Sequence, residues 1–233
     1  MDKWQGKNKA VTFSSDDGVM QDIRFTEILN KYGLKCTFNL NSSLLGLKNA
    51  LEINGKQVRH DKIHACDVKS VYEGHEVAVH TLTHPGLIFL DDETVVYQVE
   101  SDRQKLSEIV KYEVVGMAYP GGGVNNDERV ADIIKRRTGV KYSRTIKSTY
   151  DFDLQDDLYR FNPSVCYPEK DKLFELGEKF LNLKTDKPQI FYIWGHSYEL
   201  DTDYVSWEEF EEFCRLISGK EDIFYGTNRE VLL

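Results

Sequence analysis

Two short stretches carry residues whose types and spacing could do chemistry. The first, Val11-Thr12-Phe13-Ser14-Ser15-Asp16-Asp17-Gly18, ends on two adjacent carboxylates. Side by side these repel unless a cation or a proton comes between them. The second, Val77-Ala78-Val79-His80-Thr81-Leu82-Thr83-His84, sets two imidazoles four residues apart, where they project together if the segment turns helically. A third histidine, His196, closes the apolar run 189–196. Two imidazoles and one carboxylate, with positions left open, suit Zn²⁺ and several other first-row divalent ions. Each signal alone is weak: Asp-Asp-Gly often caps a helix in solvent, and H-x-x-x-H is common on surfaces. Three of them at the ends of apolar runs make coincidence the poorer explanation.

The elements that must position these residues follow from periodicity. Residues 11–16 read as a buried strand. Phe25, Ile28, Leu29 and Tyr32 give residues 20–32 one apolar helical stripe, stopped at Gly33, and 35–40 is a second strand. A crossover helix between them implies parallel strands. Asn54-Gly55 predicts a hairpin inside an excursion over 42–66. A helix at 68–73, a strand at 76–80, a long helix from about 92 and a strand at 114–119 restore the alternation. Asn125 with Glu128 reads as a capping box. Strands are expected at 142–146, 189–196 and 223–225, and helices around 173–181 and after Ser206, while 147–169 shows no clear period. About seven strands alternating with helices, most apolar on both faces, predict a parallel sheet covered by helices. An open sheet fits the pattern too, but candidate residues that fall just past strand C-termini favour a barrel.

Composition narrows the function. A chain of 233 residues is expected to form one domain, residues 1–233. Net charge is −9 with no basic block, which argues against nucleic acid or an anionic membrane as partner. Four scattered cysteines without a C-x-x-C pair make neither a disulfide framework nor a thiolate zinc site. No run reaches the ~20 apolar residues of a membrane span. The polar first residues lack the apolar core of a leader, so the expected location is cytoplasmic.

With these residues in place, the sequence resembles the polysaccharide deacetylases, also called the NodB-homology family, metal-dependent carbohydrate esterases with an incomplete (β/α)₇ barrel. Ser14-Ser15-Asp16-Asp17-Gly18 matches their T-F-D-D-G, His80-Thr81-Leu82-Thr83-His84 their H-[ST]-x-x-H, and Ile193-Trp194-Gly195-His196 their L-x-x-H. The resemblance implies an α/β, TIM-barrel-like fold with the hairpin as an excursion, and removal of N- or O-acetyl groups from an acetylated carbohydrate. It implies one divalent ion, Zn²⁺ with Co²⁺ or Ni²⁺ as alternatives, held by Asp17, His80 and His84. Asp16 would then be the general base and His196 the general acid. The R-x-P-Y-G motif reads Ala118-Tyr119-Pro120-Gly121-Gly122, so the arginine that steadies the base is absent, while Gly121 could still offer its N–H to the oxyanion. Arg160 is the expected replacement. The fourth motif has no clean match, residues 153–159 being nearest.

Among the remaining candidates, Tyr119, Trp194 and Tyr198 lie beside motif residues, where stacking on a sugar competes with ordinary packing. Glu199 is either the orienting partner of His196 or a solvated acid. His60, His64 and His75 read as surface or hydrogen-bonded structural residues, Trp207 as core, and the triple glycine as a tight turn. Two other readings stand beside deacetylation of a glycan. One keeps the machinery for a non-glycan amide; the other is a catalytically silent relative that binds glycans, favoured only by the missing arginine.

Overall fold

The computed structural model describes residues 3–233. Strand β1 (Lys9–Asp16) is buried along its whole length. It is followed by α1 (Asp22–Lys31), β2 (Cys36–Leu40), the pair β3 (Ala50–Ile53) and β4 (Lys56–Arg59), α2 (Val68–Val71) and β5 (Glu76–Val79). The chain continues through α3 (Asp92–Val110), β6 (Gly116–Ala118), α4 (Glu128–Arg137), β7 (Tyr142–Arg144) and β8 (Val165–Cys166). Last come α5 (Lys170–Asn182), β9 (Gln189–Gly195), α6 (Trp207–Ile217), β10 (Ile223–Tyr225) and α7 (Asn228–Leu232).

Eight strands form one parallel sheet in the order β7-β6-β5-β2-β1-β9-β8, with β10 paired to β1. One edge of β1 is shared: Lys9–Val11 pairs with β10, and Phe13–Asp16 with β2. The sheet curls until its ends almost meet. An isolated parallel bridge, Arg144 to Phe161, joins β7 to the segment before β8. There the Thr145 N–H donates to Phe161 O at 2.9 Å, and the Phe161 N–H to Ser143 O at 3.0 Å. This is an incomplete barrel, as expected. The strand missed in the sequence is β8, two residues long and too short for alternation to register.

Period-two alternation sorts side chains into two cores. Val11 and Phe13 point outward into the helix layer, where Phe13 meets Phe210 and Phe213 edge-on at 6.2 and 6.4 Å. Ala10, Tyr142, Ile190 and Tyr192 fill the barrel with Phe161, and Val231 and Leu232 of α7 join the same cluster. Above that apolar layer the alternating positions turn polar: Ser14, Asp16, Asn39 and Arg144 are all buried. A barrel polar at its C-terminal end has given up apolar packing where a site can be built.

The hairpin forms as expected, with Ile53 opposite Lys56 and both turn residues left-handed, Asn54 at φ 52° and Gly55 at φ 76°. The capping box expected at Asn125 and Glu128 does not form. Asp127 caps α4 by accepting from the Val130 N–H at 2.7 Å. Asn125 instead donates to the carbonyls of Tyr119 and Gly121 at 3.2 and 3.0 Å, pinning the turn after β6. Ser206 does cap α6 in a reciprocal box with Glu209, and Trp207 is buried there. All four cysteines are free. Among the described residues, no helix is long and apolar enough to cross a membrane.

Candidate active site

The C-terminal ends of β1, β5, β6 and β9 surround a cavity of about 250 Å³. Asp16, Asp17, His80 and His84 form one wall; Trp194, His196 and Tyr198 form another, with Tyr119, Gly121, Gly122 and Ile146 completing it. Residues 153–159, the nearest match to the fourth motif, do not line it. Asp153 accepts from Gln189 at 2.8 Å and Asp157 pairs with Arg160, while Ile146 lines the cavity.

Each acid is placed by backbone geometry. β1 ends at Asp16, and Asp17 then turns left-handed at φ 82°, an uncommon conformation for a residue with a side chain. Its N–H is held by Asn39 O at 3.0 Å. The His80–His84 segment is not helical: Thr81 and His84 are left-handed, φ 67° and 62°, and the Thr81 hydroxyl accepts from the His84 N–H at 3.1 Å. The imidazoles still meet, ring centroids 4.9 Å apart, through a tight turn and not through helical spacing.

Asp17, His80 and His84 offer ligand atoms that all lie within 4.8 Å of one another, a set able to hold a metal ion. Asp17 Oδ1 is 3.6 Å from His84 Nε2 and 3.9 Å from His80 Nε2. His80 Nδ1 lies 2.9 Å from Ala118 O, so its proton sits there and Nε2 keeps a free lone pair. Burial is the main force on both rings. It pushes the His80 pKa down to about 4 against the pull of Asp16, and lowers that of His84 against Asp17. Neutral imidazoles are the form a divalent ion needs, so the donor set fits one.

His196 is opposite in character. Burial works against its charged form but is outweighed by Glu199, with help from Asp17 and Asp16, and the pKa rises to about 9. Glu199 lies 3.2 Å from His196 Nδ1 and accepts the His196 main-chain N–H at 2.8 Å. It is therefore an orienting partner and not a solvated acid. Environments that drive two neutral histidines and one protonated histidine into a single cavity separate ligand chemistry from acid chemistry.

Asp16 is 2% exposed. Burial raises its pKa, but Arg144, His80 and His196 together hold it below the ordinary carboxylate value. The Arg144 guanidinium donates from one Nη2 to both Asp16 oxygens, and Asn39 donates to Oδ1 at 2.8 Å. Arg144 Nε reaches Ser14 at 3.2 Å, Nη1 reaches Thr145 O at 2.9 Å, and the group stacks 4.4 Å from the Trp194 ring. The expected replacement was Arg160, and the structure corrects this. Arg160 is partly exposed and pairs with Asp157 at 3.0 Å and Glu128 at 3.9 Å. Its place on the short turn 158–160 aims it at the outer face, whereas Arg144 projects into the barrel from β7.

Two further contacts were not foreseen. His60 Nε2 lies 3.1 Å from Asp17 Oδ2, and Lys62 Nζ lies 3.3 Å from Oδ1. Both residues are buried, so of the two readings of His60 the hydrogen-bonded one holds and the surface one does not. His75 matches the structural reading: Nδ1 accepts the Cys36 N–H at 3.2 Å, and burial takes its pKa down to about 4. The sequence neighbours of the two cations, Ser143 and Thr145 beside Arg144 and Asp61 and Ile63 beside Lys62, form no apolar run, so no local signal marked either cation as buried.

Comparison with known proteins adds three findings. A family model described as polysaccharide deacetylase matches residues 3–142. A comparison with proteins of curated function gives no match. Among solved structures the fold resembles a family 4 carbohydrate esterase from Streptomyces lividans in complex with acetate. That pair is 14% identical, with 94% of this chain and 93% of that one covered, at a TM-score of 0.56. It also resembles the Streptococcus pyogenes deacetylase PplD in complex with acetate, 18% identical with a TM-score of 0.52; the alignment covers 64% of this chain and 61% of that protein. A family 4 pseudoenzyme from Bacillus anthracis matches too, at 16% identity and a TM-score of 0.54, covering 97% and 66%.

Proposed function

The chain belongs to the polysaccharide deacetylase family, and on that premise we propose that it hydrolyses acetyl groups from an acetylated sugar or glycan with the help of one divalent ion, Zn²⁺ first, Co²⁺ or Ni²⁺ as alternatives. The observation that carries this reading is the sorting of charge in one cavity: a neutral histidine pair beside Asp17, an ionised Asp16 beside Arg144, and a protonated His196 across from them.

Asp17, His80 and His84 would hold the ion, which supplies Lewis-acid polarisation of the acyl carbonyl and acidification of water. Asp16 accepts the proton of the attacking water as the carbon–oxygen bond forms, its two oxygens fixed by Arg144 and Asn39. The Gly121 N–H, on a left-handed turn at φ 84°, would face the developing oxyanion. His196 gives its proton to the departing amine or alcohol, which leaves neutral. Tyr119, Trp194 and Tyr198 make aromatic walls suited to one sugar ring. A cavity of about 250 Å³ falls short of the ~300–1,000 Å³ that encloses a drug-sized ligand, so one acylated ring would enter and the rest of a glycan would stay outside.

The missing motif arginine was the one feature favouring a silent relative, and Arg144 removes that support. The test is acetate release from N-acetylated and O-acetylated oligosaccharides by the metal-loaded chain. Release that chelation stops and Asp16→Asn abolishes is the expected result. Release from acetylated amides and not from sugars would move the assignment to an amidase, and no release from either would leave the silent reading.

A further inference from the structure

The strap that follows the hairpin touches the site at a point the mechanism does not use. Residues 60–63 run antiparallel past the tip of β1, with a bridge from Val19 to Lys62. The Ile63 N–H donates to Gly18 O at 2.8 Å, the Met20 N–H to Asp61 O at 2.8 Å, and the Lys62 N–H to Leu47 O at 2.8 Å. Two side chains of this strap reach Asp17 from different directions. His60 addresses Oδ2, at 3.1 Å, and Lys62 addresses Oδ1, at 3.3 Å, while also donating to Asp17 O at 2.8 Å.

The two Asp17 oxygens are not equivalent. Oδ1 faces His80 and His84, and Oδ2 faces away toward His60. His60 Nδ1 is buried without a hydrogen-bond partner, so a proton on Nε2 is the one that gains a bond. The His60 ring is braced edge-on by Tyr198, centroids 4.9 Å apart. His60 is thus a fixed donor to the outer oxygen. Lys62 is a fixed positive charge beside the inner oxygen, where a divalent ion would have to sit.

We propose that His60 and Lys62 are positioning residues that set the metal affinity of the site in opposite directions: His60 locks Asp17 so that Oδ1 alone is presented to the ion, and Lys62 weakens the ion's hold by like-charge repulsion. This rests on the reading of Asp17, His80 and His84 as the metal ligands. Without His60 the carboxylate is free to rotate, and the ligand must be ordered by the ion itself. Without Lys62 the backbone stays in place, because the Asp17 N–H bonds Asn39 O and Gly18 O bonds Ile63 N; what changes is charge. A unit charge one ligand-length from a divalent ion is worth about tenfold in affinity or more even in a well-screened site.

The experiment is a zinc-affinity titration of the purified full chain against a competing chromophoric chelator, with thermal melts run alongside. His60→Phe should bind Zn²⁺ at least tenfold more weakly, and His60→Gln, which keeps an N–H donor, should stay within about threefold of the parent. Lys62→Met should bind at least tenfold more tightly. Lys62→Gln, which still donates toward Asp17 O without the charge, should do the same and serves if the Met variant does not fold. Affinities unchanged in the variants, or shifted in the same direction by His60→Phe and Lys62→Met, overturn the proposal while leaving the metal site intact. Asp17→Asn separates the two failures: if it binds zinc as tightly as the parent, the metal reading itself is wrong.

Discussion

Replacing Arg144 by methionine keeps the apolar stem of the side chain and removes the guanidinium and its charge from a position that is 0% exposed. Asp16 would keep Asn39 as a donor but lose Arg144, the one cation hydrogen-bonded to it among the described residues, leaving a buried carboxylate with no directly bonded counter-charge. Breaking a buried pair from one side costs about 3–5 kcal/mol. Loss of the cation stacked on Trp194 adds about 1–2 kcal/mol, since that contact is desolvated. We expect urea denaturation at pH 7 to find the variant about 4–7 kcal/mol less stable. The penalty should shrink on acidification. In the parent, Asp16 has a lowered pKa, so its contribution is present above the unfolded carboxylate value and lost as pH falls through the folded one. In the variant, burial dominates, Asp16 takes up a proton well before that, and the buried charge disappears. The double variant Arg144→Met/Asp16→Asn should therefore be more stable than Arg144→Met alone. Turnover should fall about a hundredfold with little change in KM, because a base displaced by about 1 Å loses that much. A destabilisation that is constant from pH 7 to pH 4.5, or energies that simply add in the double variant, would refute the pairing. Undiminished kcat would refute the positioning of the base.

Other perturbations test other parts of the site. Asp17→Asn should lose both bound metal and activity, whereas Asp16→Asn should lose activity with metal content near that of the parent; equal metal contents by elemental analysis would overturn the division of roles. Glu199→Gln should move the alkaline limb of the kcat–pH profile down by about one unit or more, since Glu199 is the main force that lifts His196 to about 9, and an unmoved limb excludes His196 as the acid. Asp22, wholly buried and bonded to Tyr72 and Ser197 at 2.6 Å each, has its pKa raised by burial to about 7. The folded chain then holds a proton that the unfolded chain releases, so stability falls as pH rises from about 4 to about 7. Asp22→Asn should remove a slope on the order of 2–4 kcal/mol over that range, measured by denaturation at pH 5 and pH 8.

Much of the frame was legible because burial writes itself into apolar periodicity. The stripes of α1 and α6, the apolar run of β9, the β-branched and aromatic start of β1 and the Asn54-Gly55 turn all follow from local rules. The residues of the cavity wall were legible because strand ends carry the chemistry. What escaped depends on pairing across the chain. Arg144 and Arg160 are indistinguishable in composition, and only the inward register of β7 opposite β6 sends the first to Asp16. His60 and Lys62 follow a hairpin whose docking onto Val19 no periodicity encodes. The left-handed turns at Thr81 and His84 belong to a segment whose four-residue spacing suggested a helix; tertiary placement of His84 overrode it.

The pairing of β1 also sets a schedule. Residues 9–11 hydrogen-bond with 189–191 on one edge and with 223–225 on the other, so the strand that ends at the two acids is flanked there by strands made about 180 residues or more later. A ribosome adding about 5–20 residues per second needs roughly ten seconds or more between the first and the last of these partners. Through that interval Asp16 and Asp17 already exist on the nascent chain, but Arg144, His196 and the closing strand arrive one after another. The site is assembled only after residue 225 has been made, and a chain released before then carries its acids without the strands that shelter them.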